Sequence, residues 1–251
     1  MLKKRLIGVI TVKDGMAVQS FEYRRYFPLG RPAMLAENLD RWAADEILIQ
    51  CIDRSSRQLG PDLQTIREIA STGITTPLTY SGGIRDYYDA ETAIGAGADR
   101  IAVDNILHQS PSSIVEISHS IGAQAIIASL PISYDRGSVY WYNYITRESK
   151  ELSPELTRFI TKDVISEVMI IDWLHEGGNE KFDSQLIDNM SYLNLPLIAF
   201  GGISSATLMD DLLKRDVISA VAIGNSLNYK ENQIHNIRRE ISNKNIRKYP
   251  A

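Results

Sequence analysis

TPLTYSGGI, Thr76–Ile84, returns some 120 residues later as LPLIAFGGI, Leu195–Ile203. DEILIQCID from Asp45 pairs with SEVMIIDWL from Ser166 in the same register, and RIAVDN, ending at Asn105, pairs with AVAIGN, ending at Asn225. Three matches at one spacing imply a chain made of two related halves. Each matched run is short and apolar, as a strand buried on both faces must be.

Working outward, the same kind of run occurs eight times: LIGVITV, EILIQCI, PLTYSGGI, RIAVDN, AIIASL, EVMIIDWL, PLIAFGGI and AVAIGNS. Amphipathic stretches such as GPDLQTIREIAST, DYYDAETAIGAG, SPSSIVEISHSIG and SSATLMDDLLKR lie between them. Alternation of strand and helix implies parallel strands with right-handed crossovers, and eight such units close a (β/α)8 TIM barrel. A doubly wound open sheet is the rival, but it gives no reason for a half-length repeat. The expectation is one barrel over residues 1–251, with half-barrels of about 1–120 and 121–251.

Composition narrows the function. A net charge of −4 gives no basic footprint for nucleic acid. The densest basic stretch, RREISNKNIRK, reads as a solvated final helix. The one cysteine, Cys51, sits in a strand and excludes an intrachain disulfide, which places the protein in a reducing cytoplasm. No run reaches the ~18 apolar residues of a membrane helix, and Lys13 and Asp14 interrupt the N-terminal run, with no cleavage-site pattern after it.

In such barrels chemistry sits on the loops after the C-terminal strand ends. Gly82-Gly83 and Gly201-Gly202 fall there, followed one strand later by Asn105 and Asn225. A glycine pair lets backbone N–H groups approach an anion closely. Two symmetric copies predict two phosphate sites, although tight turns alone also require glycine. Asp53 and Asp104 end strands and are the best-placed carboxylates. Asp172 is placed to face either the mouth or the helices, and Glu176 either to contact a ligand hydroxyl or to cap a turn. His108, His119, His175 and His235 lack metal-ligand spacing, so neither a metal nor a cofactor is expected. Loop one, GMAVQSFEYRRYFPLGRP, reads as a mobile lid over an anionic ligand or as a partner surface.

The chain resembles the cyclase subunit of imidazole glycerol phosphate synthase, the histidine-pathway barrel HisF. Lys4-Arg5 with Ile7 and VKDG, ADEILI, GGI with Asp86, GADRIAV, GAQAII, EVMII, KFD and LPLIAFGGI carry the resemblance over nearly the full length. It implies a half-barrel repeat, a lyase reaction, and a partner glutaminase whose ammonia enters the barrel at the N-terminal face. The family's four charged gate residues are matched by Arg5, Glu46, Arg100 and Glu167, with Arg100 in place of a usual lysine. Asp99 matches its contact to the glutaminase.

The resemblance breaks at the other end. The family's two acid–base aspartates are matched by Thr11 and, within about one residue, by Pro131. Neither exchanges a proton near neutral pH, whereas a positioned carboxylate contributes ~10² to 10⁴-fold. The mobile-loop lysine is matched by Gln19, a strand-two aspartate by Cys51, and an Asn-Thr phosphate pair by Asp104-Asn105. The second phosphate site is kept in Gly177, Gly202, Gly224 and Asn225. This pattern of losses resembles barrels of surface-polysaccharide pathways that work with a glutaminase and a sugar amidotransferase. The expectation is ammonia conduction for amidination of a sugar, with ring closure lost or reduced. The alternatives are an authentic cyclase drawing on Asp14, Asp53 or Asp104, and a non-catalytic scaffold that binds a phosphorylated small molecule.

Overall fold

The structure, a computed structural model, describes residues 3–179, 181–242 and 245–247. Twelve strands are present: β1 Arg5–Lys13, β2 Met16–Phe21, β3 Arg25–Gly30, β4 Glu46–Cys51, β5 Leu78–Ser81, β6 Arg100–Val103, β7 Ile126–Asp135, β8 Ser138–Asn143, β9 Glu148–Glu151, β10 Glu167–Asp172, β11 Leu197–Phe200 and β12 Ile218–Ile223. Eight of them pair in parallel in the order β10-β11-β12-β1-β4-β5-β6-β7, and the β10–β7 pairing closes the ring. All eight runs read from the sequence are these barrel strands. The fold is a (β/α)8 barrel.

The helices are α1 Pro32–Arg41, α2 Leu63–Ala70, α3 Tyr87–Gly95, α4 Asn105–Gln109, α5 Ser113–Ile121, α6 Pro154–Thr157, α7 Gln185–Met190, α8 Ala206–Leu213 and α9 Gln233–Glu240. Local sequence sets several starts. Pro32 opens α1 at the position where its missing N–H costs nothing. Asp62, Asp86 and Ser205 cap α2, α3 and α8 by accepting the N–H of Thr65, Asp89 and Leu208. In α2, Ile66 and Ile69 lie on one stripe and are fully buried, each worth roughly 1.5–3 kcal/mol of apolar burial.

Alternation along the strands divides the core in two. Leu6, Ile10 and Val12 of β1 face the helices, as do Ile47, Ile49 and Cys51 of β4. Ile7 and Val9 of β1 join Leu48, Ile127, Met169, Ile198 and Ala220 inside the barrel. The residues that line the mouth are therefore fixed by odd or even position along each strand.

Two antiparallel hairpins leave the barrel. β2–β3 follows β1, with Thr11 opposite Val18, and β8–β9 follows β7, with Ile132 opposite Trp141. Loop one is thus a paired hairpin along most of its length. The basic tail also differs from the reading of a solvated helix: α9 stops at Glu240, and Arg238 turns inward to the buried Asp45 at 2.9 Å. No helix among the described residues is long and apolar enough to cross a membrane.

Candidate functional site

At the N-terminal end of the barrel, β1, β4, β6 and β10 each begin with a charged residue that points inward, and the four close a ring. Arg5 Nη1 meets Glu46 at 3.1 Å and its Nη2 meets Glu167 at 2.5 Å; Arg100 Nη1 meets Glu46 at 3.4 Å and its Nη2 meets Glu167 at 2.8 Å. Each guanidinium bridges both carboxylates, which the planar fork of arginine permits and a lysine does not. Thr79 donates to Glu46, and Ser219 donates to Glu167 at 2.5 Å. Burial alone would raise the Glu167 carboxyl, but Arg5 and Arg100 outweigh it and hold it below the usual range. Asp99 is exposed at the same end and spends one oxygen on the Leu78 N–H at 2.7 Å.

At the opposite end opens a cleft of ≈610 Å³. Gln50, Ser81, Gly82, Gly83, Asp104, Asn105, Ser129 and Pro131 line it from the barrel strands and their loops. Thr11 is buried beside it on β1, in register with Gln50. Lys13, Arg24 and Arg147 bring positive charge to the rim.

The candidate carboxylates have different fates. Asp14 adopts φ +52 at the turn after β1, is exposed, and pairs with Lys13 and Arg57. Asp53 is buried and accepts the Asp14 N–H at 3.0 Å while facing Arg57 at 3.2 Å, so it holds that same turn. Asp172 faces the helix side, where it accepts from the Asp183 N–H at 2.8 Å and bonds His175 at 2.7 Å. Asp104, like Asp53, lines the cleft, and its Oδ1 is buried and without a hydrogen-bond partner. Burial raises its carboxyl well above the ordinary range. His108, one helical turn on and 3.4 Å away, is pushed down to about 3 by burial.

Cys51 packs on the helix side, and burial pushes its thiol up, so it is no nucleophile. Gln19 sits within the β2–β3 hairpin opposite Phe27. Among the described residues, no group of three or more His, Cys, Asp or Glu side chains is arranged to hold a metal ion.

The glycine pairs have a structural reason of their own. A Cβ on Gly82, at φ +129, would lie 2.3 Å from the Cys51 carbonyl, and one on Gly201, at φ +103, would lie 2.4 Å from the Asp172 carbonyl. These contacts are copies of each other, one in each half. Gly83 donates its N–H to the Ser55 hydroxyl at 3.2 Å.

Residue-by-residue reading missed the aromatic roof. Tyr23 and Tyr26 come from the β2–β3 hairpin and Tyr142 and Tyr144 from the β8–β9 arm, and all four line the cleft. Tyr142 stacks on Trp173 with ring centroids 4.0 Å apart, and the Tyr23 hydroxyl donates to Gln50 at 3.2 Å. Their signal was the clustering of tyrosine in FEYRRYF and YWYNY, which periodicity does not capture.

With both ends described, comparison with known proteins decides the lineage. A family model described as histidine biosynthesis protein matches residues 5–233. The chain belongs to that family. Among its curated relatives are proteins named imidazole glycerol phosphate synthase subunit HisF. That of Exiguobacterium is 24% identical over 248 residues, 98% of this chain and 96% of the relative. That of Bacillus subtilis is 27% identical over 242 residues, 95% and 96% of the two chains. That of Staphylococcus saprophyticus is 29% identical over 245 residues, again 95% and 96%. Within the histidine biosynthesis family the chain is therefore a divergent HisF-like member.

Proposed function

We propose that this HisF-like barrel docks a glutaminase at its N-terminal face, admits ammonia past the ring of Arg5, Glu46, Arg100 and Glu167, and delivers it for amidination of a sugar, with ring closure lost or reduced. The observation that carries the reading is the contrast between the two ends. The charged ring is complete, while Thr11 and Pro131 place no proton-transfer group where the resemblance expects one. Asp99, exposed beside the ring, is the proposed partner contact. Gly82, Gly83 and Asn105 form the proposed phosphate cradle of the cleft, and a sugar amidotransferase is the proposed acceptor of the ammonia.

The deciding assay supplies ammonia and the ribulosyl formimino aminoimidazole carboxamide nucleotide and measures imidazole glycerol phosphate. Turnover near that of an ordinary cyclase overturns the proposal. Co-purification with a glutaminase, uncoupled from product by Glu46→Ala or Glu167→Ala, supports it. A second reading, an authentic cyclase, draws on one observation: Asp104 lines the cleft and has one buried carboxyl oxygen without a hydrogen-bond partner.

A further inference from the structure

The second half-barrel has its own cradle of Gly177, Gly202, Gly224 and Asn225, but the space left at these residues is ≈20 Å³, whereas Gly82, Gly83 and Asn105 open onto the ≈610 Å³ cleft. That is room for about one water and not for the five heavy atoms of a phosphate.

At Asn225 and Gly177 the chain itself takes the place. Asn225 Nδ2 donates to the Ser20 carbonyl at 2.6 Å, and Asn225 Oδ1 accepts the Ser20 N–H at 3.2 Å. Both ends of the amide are thus spent on one residue of β2. Gly177, at φ +76, lies so close beneath that a Cβ on it would sit 2.2 Å from the Ser20 carbonyl oxygen. Glu176 fastens the other side. Its buried carboxyl accepts the Ser20 hydroxyl at 3.0 Å and the Tyr23 N–H at 3.2 Å, and its carbonyl accepts the Glu22 N–H at 2.9 Å. Glu22 and Tyr23 hold φ +54 and +52, a region non-glycine residues keep only where surrounding contacts impose it.

We propose that the β2–β3 hairpin is a built-in occupant of the second anion cradle. A ligand with one phosphate binds at Gly82 and Gly83 by displacing no more than the Ser55 hydroxyl from the Gly83 N–H, and a ligand with phosphate at both ends must first lift the hairpin. The inference rests on the reading of the cleft as an anion site. A hairpin open for about a tenth of the time weakens apparent affinity at the cradle about tenfold.

The test titrates inorganic phosphate into the isotope-labelled full chain and follows the backbone amides of both cradles by NMR. It is run on the wild type, on Glu176→Ala, and on a variant in which residues 19–27 are replaced by two glycines, so that a misfolded single variant does not end the experiment. In the wild type, Gly82 and Gly83 are expected to shift while Gly177, Gly202 and Gly224 do not. In both variants the second set shifts too, at least about tenfold more tightly than any wild-type response. A second set that shifts in the wild type while the Ser20 and Glu22 amides stay protected overturns the proposal, as does a second set silent in both variants. Silence of Gly82 and Gly83 in all forms overturns the anion-site reading instead, and the second set still decides the hairpin.

Discussion

Arg100 binds Glu167 at 2.8 Å, and the other oxygen of the same carboxylate takes Arg5 from the far side of the barrel, so one glutamate joins two strands that are not neighbours. The ring is a closed belt of ion pairs beneath the inner core residues Ile7, Leu48, Ile127 and Met169.

Removing Glu167 leaves the half-buried Arg5 and Arg100 with Glu46 as their one shared carboxylate in the ring. Glu167→Ala is expected to cost roughly 3–5 kcal/mol, the usual price of breaking a buried pair. Denaturant unfolding checks it, and a cost below about 1 kcal/mol means the ring is no more than a surface network. Arg100→Lys keeps the charge but loses the fork that reaches Glu46, Glu167 and Ser166 together, so it falls between the wild type and the deletion.

Glu176 gives the hairpin a pH dependence. Burial lifts its carboxyl from an ordinary 4.5 to about 7, against the pull of the Tyr23, Ser20 and Glu22 donors and with a push from the Glu22 carboxylate. Tyr26, also facing it, is raised to about 12 and Tyr23 is raised well above its ordinary value, so neither titrates in this range. Because the docked value is the higher one, docking is fully favoured below 4.5 and is lost as pH climbs to about 7. Amide protection at Ser20 and Glu22, corrected for intrinsic exchange, should fall by up to about tenfold per pH unit across that window. Glu176→Gln should flatten the profile, and an unchanged profile would sink the assignment.

Asp104 is expected to repel phosphate in the cleft less than an ordinary aspartate, because burial raises its carboxyl. Asp104→Asn should therefore change inorganic phosphate affinity by less than about threefold at pH 7, whereas removing a true anion 4–6 Å from the ligand would improve it by about tenfold or more. Calorimetric titration distinguishes the two.

Gly82→Ala and Gly201→Ala should destabilise to similar extents. Each places a methyl against a backbone carbonyl at a positive φ, where left-handed strain alone costs about 1–3 kcal/mol. Thermal unfolding of the pair measures this, and a tolerated Gly201→Ala would show the contact yields.

The barrel was legible because each of its parallel strands is buried on both faces, and a run such as EVMIID has no polar side to hide its strand character. The glycine pairs were legible as a repeat but ambiguous in meaning; their contacts with Cys51 and Asp172 give a packing reason that holds whether or not an anion binds. The hairpins were not legible as strands. ESKE of β9 is exposed throughout and SVYWYN of β8 is half-buried or buried without strict alternation, and their pairing depends on partner strands rather than on their own hydrophobicity. The same non-locality hid Asn225: nothing around it in the sequence announces that its amide is bound to Ser20.

The two hairpins spring from corresponding strands, one after Thr11 on β1 and one after Pro131 on β7, and neither gives a residue to the charged ring. Arms and base are thus separable parts. Variation accumulating in FEYRRYF or YWYNY can remodel what the mouth admits while barrel closure and the charged ring at the base go on unaltered. A barrel built this way can change its arms at one end while keeping its ring at the other.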